Sequence, residues 1–447
     1  MVRRWYGRGR LAVMLSLLVV IPGIVYYFYT EIRPTVIFGL RDDYAHAIPF
    51  QTVPAGLDSL KAEECGTCHR EIYEEWKTSV HADAYNDPFF QAYWEKDDHV
   101  WVCLNCHTPL ANQQPTLIRA IPGQRVEKAI QVANPRYDES YQREGVTCAA
   151  CHVRDGVILG PFDDSAAPHP VKYDPAFRTT ALCYRCHSVE SGPFQFYRAG
   201  PCGTFGEYEG EFFMREQGFT CQHCHMPEIS RPVATGGPIR HGRQHVWRGG
   251  HDPEMIKRAV AVQVKTDPPT PVPGDTMTMT LTLINAGAGH KIPTGDPDRH
   301  FTVEFYVKDQ AGRILEEQTS TMGRWILWQP VILEVYDNRL RPLASRDYQF
   351  SYRIPEGRSD LVVETRVRYH ILTDGQHAML RESYGLQSDR PYRYTIYTRR
   401  FPLGENPGGH EAERVVEARV SPAANVGCSA SENRGSVEGP RDVFVAG

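Results

Sequence analysis

The chain has 447 residues, enough for two domains and one membrane anchor, with 41% hydrophobic and 23% charged residues. Its 54 Asp and Glu outnumber 49 Lys and Arg, and the formal charge of −5 argues against a nucleic-acid partner.

Residues 11–29, LAVMLSLLVVIPGIVYYFY, carry no charge and are long enough to cross a bilayer as a helix. Arg3, Arg4, Arg8 and Arg10 precede this run, whereas only Arg33 and Arg41 come within the next thirty residues. That asymmetry predicts a single-pass helix in the cytoplasmic membrane, with the N-terminus inside and the rest on the periplasmic side. Tyr26, Tyr27, Phe28 and Tyr29 stand where an interfacial aromatic belt belongs. A cleaved secretory signal is the other reading, and it too puts the remainder of the chain outside the cytoplasm. The expected layout is an anchor at 1–30 and a polar, proline-punctuated stalk at 31–60.

Five copies of Cys-x-x-Cys-His then organise residues 61–258: CGTCH (65–69), CLNCH (103–107), CAACH (148–152), CYRCH (183–187) and CQHCH (221–225). This pattern attaches c-type haem: the two cysteines add to the vinyl groups and the histidine binds iron. A structural zinc site gives no reason for a histidine after every second cysteine. The sequence therefore predicts five covalently bound haems. Cys65, Cys68, Cys103, Cys106, Cys148, Cys151, Cys183, Cys186, Cys221 and Cys224 hold them, and His69, His107, His152, His187 and His225 are proximal ligands. Cys202 and Cys428 are left without a role. The region reads as mostly helix and loop, with Ile72, Trp76 and Val80 on one face of a helix leaving the first motif. A second helix is signalled at 253–260 by Asp252 as cap and Pro253 at the first position.

After residue 258 the composition changes. TMTMTLTLI (276–284) alternates at period two, and further strands are expected at 259–265, 301–308, 327–335, 347–353, 361–369 and 392–399. Short strands at this spacing predict an antiparallel β-sandwich over 259–402. Residues 403–447 are Gly-, Ser-, Glu- and Arg-rich and read as disordered. The expected fold is thus α+β and multidomain: a transmembrane helix, a mostly helical multihaem domain and a β-sandwich.

A haem iron takes a sixth ligand or keeps an open position, and His is a usual choice. His81 lies at the end of the helix after the first motif. His245 and His251 lie in the glycine-rich GPIRHGRQHVWRGGH, His169 in a Pro-His-Pro turn, and His290 in GHKIPTG after the strand at 276–284. These five are the candidate distal ligands, with His99, His241 and His300 in reserve.

CGTCHREIYEEWKTSVHADAY resembles the opening of multihaem cytochromes related to the tetrahaem cytochrome that serves hydroxylamine oxidoreductase. CLNCHTPL, GVTCAACHV, LCYRCHS, CQHCHMP and HVWRGGHDPEMIKRAV are similar to its later segments, so the resemblance spans roughly 61–260. AGHKIPTG resembles a stretch of longer members with a β-rich C-terminal domain. The resemblance implies closely packed haems with mostly bis-histidine iron, and supports His81, His169, His245 and His251 as distal ligands. The family core holds four haems, so a fifth motif departs from it. The expected function is a membrane-anchored, periplasm-facing pentahaem cytochrome. It would relay electrons between a membrane donor such as the quinol pool and a soluble or extracellular redox partner. The alternatives are a reductase of a small nitrogen or sulfur oxyanion at a five-coordinate haem, and a quinol dehydrogenase.

Overall fold

A computed structural model describes residues 2–27, 40–124, 126–163, 166–189, 202–327 and 333–403. Residues 31–39 of the expected stalk and all but the first residue of the expected disordered tail lie outside the described residues.

The N-terminal helix runs Val2–Tyr27 with Pro22 inside it. Among the described residues no helix is long and apolar enough to cross a membrane, so the expected transmembrane helix is corrected.

The expectation of a mostly helical haem region is corrected as well. Helix and strand occur in comparable amounts along the chain. The longest helix between the motifs is Pro88–Lys96, nine residues, capped by the Asp87 carboxylate on the amides of Phe89 and Phe90. Helices this short are marginal alone and depend on packing. Among the described residues, three small sheets lie between them. β1 (Thr116–Ala120) pairs antiparallel with β2 (Ile130–Ala133). β3 (Val153–Arg154), β4 (Val157–Gly160) and β5 (Val171–Tyr173) form a mixed sheet. β6 (Glu228–Pro232) pairs with β7 (Ile239–Arg243). The helix after the first motif, Arg70–Lys77, ends before Val80, which is 37% exposed. Trp76 alone of that predicted face is buried, its Nε1 donating to the Val146 carbonyl at 2.9 Å.

The C-terminal unit has two larger antiparallel sheets. One is ordered β11 (Ile314–Met322), β10 (His300–Lys308), β15 (Val362–His370), β16 (Arg393–Pro402). The other is β14 (Ser345–Arg353), β9 (Thr276–Asn285), β8 (Val260–Asp267). The alternation in β9 buries Met277, Met279, Leu281 and Leu283 completely, and β10 turns Phe301, Val303, Phe305 and Val307 into the same core. Each such side chain contributes about 1.5–3 kcal/mol when removed from water, enough to set the register. Phe305 and Phe350 stack across the two sheets at 5.4 Å. The single expected strand at 327–335 is instead split between the arms of a hairpin, β12 (Arg324–Leu327) and β13 (Leu333–Asp337).

Phe89 and Ala92, from the helix Pro88–Lys96, belong to this same core, so the two units share it. Arg339 adds a buried ion pair with Glu207 at 2.6 Å, both side chains 3% exposed. Arg390 binds Asp83 and Asp87 at 2.6 and 3.0 Å.

Candidate haem-binding centres

Four motifs form helices of one or two turns: Leu104–His107, Cys148–His152, Ala181–His187 and Cys221–His225. The first starts in Ala62–Gly66 and ends with His69 at the N-cap of Arg70–Lys77. Positions i, i+3 and i+4 are neighbours on a helix face. The spacing Cys-x-x-Cys-His therefore turns two thiols and an imidazole the same way.

Four of the five motif imidazoles are aimed by backbone carbonyls. Nδ1 of His69 lies 2.6 Å from the carbonyl of Val233, His107 2.6 Å from Ala84, His152 2.8 Å from Leu159 and His225 2.6 Å from Arg248. A carbonyl only accepts, so Nδ1 carries the proton and Nε2 keeps its lone pair, the tautomer a metal needs. Leu159 lies in β4 and Val233 comes directly after β6. The small sheets that sequence reading missed thus hold the carbonyls that orient two motif histidines.

Across four of the five motif rings, all but that of His107, stands a second imidazole among the described residues. Ring centres are 6.4 Å apart for His69 and His169, 6.3 Å for His187 and His81, 6.2 Å for His152 and His245, and 6.3 Å for His225 and His290. An iron between two Nε2 atoms at about 2.0 Å, with about 1.15 Å from each nitrogen to its ring centre, requires about 6.3 Å. The residues fit the group. Haem iron takes four nitrogens from the porphyrin and needs only two protein ligands. That accounts for the lack, among the described residues, of any cluster of three or more metal-binding side chains.

Four of the five candidate distal histidines are therefore each brought to a different motif histidine. His251 is not. Its Nε2 accepts from Arg299 Nη2 at 3.3 Å, which occupies the lone pair a metal would use. Of the reserves, His99 contacts Glu95, His241 contacts Glu228, and His300 stacks on His370 at 4.4 Å.

Burial is the first cause of the electrostatics. It pushes His81 and His245 down to about 3 and His225 to about 4, helped by neighbouring imidazoles, and lowers His107, His152, His169 and His187 in the same direction. The rings stay neutral, as ligands must. The buried Nδ1 of His169 has no hydrogen-bond partner among the described residues.

Glu75 is a positioning residue the spacing did not reveal. Its carboxylate takes two hydrogen bonds from Arg231, at 2.7 and 2.6 Å, and accepts from the main-chain amide of His245 at 2.9 Å. His290 is held from the β-unit. Asn285 Nδ2 donates to its carbonyl at 2.9 Å, and its Nδ1 lies 2.8 Å from the Lys291 carbonyl. Thr294, four residues on, donates to Glu207 at 2.6 Å.

His107 differs from the other four. Its ring stacks face to face on Phe90, 3.7 Å between centres and 9° between planes, and among the described residues no imidazole stands opposite it. Three residues after Phe90 on the same helix, Tyr93 donates to Asp298, the neighbour of Arg299. Arg299 and His251 there join Tyr369, whose hydroxyl lies 2.8 Å from where a Cβ on Gly250 would be.

These features define a class: the chain has the fold of a multihaem c-type cytochrome. It is similar to the penta-heme cytochrome c552 from Thermochromatium tepidum, at 20% identity and a TM-score of 0.56, covering 78% of this chain and 100% of that one. This likeness shows the fold. Weaker likenesses carry no argument: a β-glucuronidase from Bacteroides uniformis, 5% identical over 32% of this chain and 13% of that one (TM-score 0.17), and a CARDB domain from Pyrococcus furiosus, 12% identical over 32% and 86% (TM-score 0.15). No family profile matches the chain, and no curated protein is similar to it.

Proposed function

We propose that the chain carries five covalently bound c-type haems and relays electrons between two redox partners. The observation that carries this is the set of four imidazole pairs at 6.2–6.4 Å, each joining a motif histidine to a histidine from another segment. When bound, the haem supplies one-electron chemistry whose potential depends on axial ligands, burial and nearby charge. The chain's own part would be to hold four of these groups between two imidazoles each, His69 with His169, His187 with His81, His152 with His245 and His225 with His290. It also brings the attachment points together: the thiols of Cys65 and Cys148, of Cys106 and Cys186, and of Cys183 and Cys221 lie close enough to shift one another's ionisation. The partners are a donor protein or quinol and a soluble or extracellular acceptor, and the place of action is outside the cytoplasm. The finer kinship with the tetrahaem acceptor of hydroxylamine oxidoreductase belongs to this proposal too, and it makes an enzyme of small nitrogen compounds a fitting donor. Low-temperature EPR of the oxidised holoprotein tests the ligand set, with at least four low-spin irons per chain expected. Fewer than four removes the relay reading.

One observation favours a second reading for the remaining haem. His107 has no opposing imidazole among the described residues, while Arg299 and His251 gather nearby. An open iron there would take a small oxyanion. A single high-spin signal that shifts on adding nitrite supports this, and five low-spin irons exclude it.

A further inference from the structure

The imidazoles of His81 and His245 face different motif histidines, yet both rest on one side chain. The Trp247 indole lies 4.8 Å from the His81 ring at 50°, and 5.1 Å from the His245 ring at 89°. These are ordinary tilted and edge-to-face separations for aromatic rings.

The backbone at Trp247 is unusual. Its φ is +37°, in the left-handed region that a bulky non-glycine residue rarely adopts. Such a conformation costs about 1–3 kcal/mol and persists only where the surroundings over-determine it. Gly249 and Gly250 come soon after, so glycine is present in this loop, but not at the strained position.

The two imidazoles depend on the indole unequally. His245 has its own fixings, with Nδ1 3.0 Å from the Arg243 carbonyl and its main-chain amide on Glu75. For the His81 ring no hydrogen bond is seen among the described residues. Its ring contacts are His187, across the metal position, and Trp247. The backbone of His81 is clamped nonetheless. Val146 donates to its carbonyl at 2.9 Å, and a Cβ on Gly145, itself at φ +61°, would come within 2.6 Å of that oxygen. What is left to set is the rotation of the ring, and the indole sets it.

We propose that Trp247 is a positioning residue that orients the distal imidazoles of two different haems at once, so that the ligand geometries of the third-motif and fourth-motif irons are coupled through one indole. The proposal rests on the relay reading, in which His81 and His245 are ligands. Side chains that fix a ligand's ring plane tune the metal it binds. The plane angles now held are 48° between His81 and His187 and 33° between His152 and His245. A released His81 ring changes the first of these, and the matching loss of the edge contact on His245 changes the second.

The test uses the full-length holoprotein. His81→Ala and His245→Ala first identify, by the low-spin EPR signal each removes, the two irons concerned. Trp247→Leu is then expected to shift those two signals together and to move the reduction potentials of both haems. The signals that depend on His169 and His290 stay at their wild-type positions. Trp247→Phe, which keeps an aromatic face, restores most of both shifts. If Trp247→Leu moves one signal, none or all four, or if Phe performs no better than Leu, the coupling through Trp247 is refuted and the relay reading stands. If His81→Ala or His245→Ala leaves the spin count unchanged, that residue is no ligand, and both readings fall together. A residue that only fills space lowers the melting temperature without moving the two signals, and that outcome also overturns the proposal.

Discussion

Glu207→Ala strikes the point where the β-unit grips the haem region. The Glu207 carboxylate receives Arg339 Nη1 at 2.6 Å and Thr294 Oγ1 at 2.6 Å, with both members of the ion pair 3% exposed. Breaking a buried ion pair usually costs about 3–5 kcal/mol, because a charge is left without a counter-charge. Here Arg339 keeps Asp337, through Nε and Nη2 at 2.9 Å each, and the Pro293 carbonyl at 3.1 Å. The loss is then two hydrogen bonds to a charged group, each near the lower end of 1.5–3 kcal/mol because Arg339 keeps its other partners, and about 3 kcal/mol in all. At about 2–4 °C per kcal/mol for a unit of 150–250 residues, Tm falls by about 6–12 °C. Glu207→Gln keeps the shape and loses the charge, and is expected to cost about half as much. Differential scanning calorimetry of the holoprotein reads both variants, and EPR of the His225 iron reads whether the loop bearing His290 has loosened. A fall in Tm of less than about 2 °C for Glu207→Ala would refute the reasoning.

Covalent haem should amount to five per chain, seen as the mass of the denatured protein above that of the polypeptide; a smaller increment removes a motif from the set. His169→Ala and His290→Ala should each convert one iron to high spin with haem content unchanged, whereas His251→Ala should leave the spin count as it is. A spin change in His251→Ala would place that imidazole on an iron after all. Glu364 makes stability depend on acid. Burial pushes its carboxyl up, but hydrogen bonds from Lys308, Arg400 and Arg366 outweigh this and hold it down to about 2. A carboxylate lowered on folding stabilises fully above its ordinary range and progressively less as pH falls toward its folded value. Tm should therefore decline between about pH 4.5 and pH 2, and Glu364→Gln should flatten that part of the profile; equal slopes in the two proteins would dismiss the network as a contributor.

The five motifs were legible because they are local: two cysteines and a histidine within five residues define each of them wherever the fold puts it. The alternation of Met277, Met279, Leu281 and Leu283 was legible for a similar reason, since each strand position faces one way or the other. β11 was not. Its Glu316, Glu317 and Gln318 are exposed on the edge of a sheet, where no buried face imposes a pattern. The partners of the motif histidines were visible only as a pool of candidates. Which imidazole meets which motif is decided by contacts far apart in sequence, such as His225 with His290, and spacing carries no trace of them. Val80 failed as a helix-face residue because Thr78 already closes the helix, a local end that the apolar period did not signal.

The carbonyl that aims His69 belongs to Val233, 164 residues further along the chain. Thr235, two residues beyond, donates its amide to the carbonyl of Cys68 at 2.9 Å, so the same late segment lies along the first motif. A growing chain thus presents its first pair of thiols long before it can fix the imidazole beside them. Closing a loop of this length costs entropy that only the finished region repays. On the proposed reading, the first haem to be attached would be among the last to reach its final geometry, and a chain cut short before Val233 would carry that haem with the His69 ring unaimed.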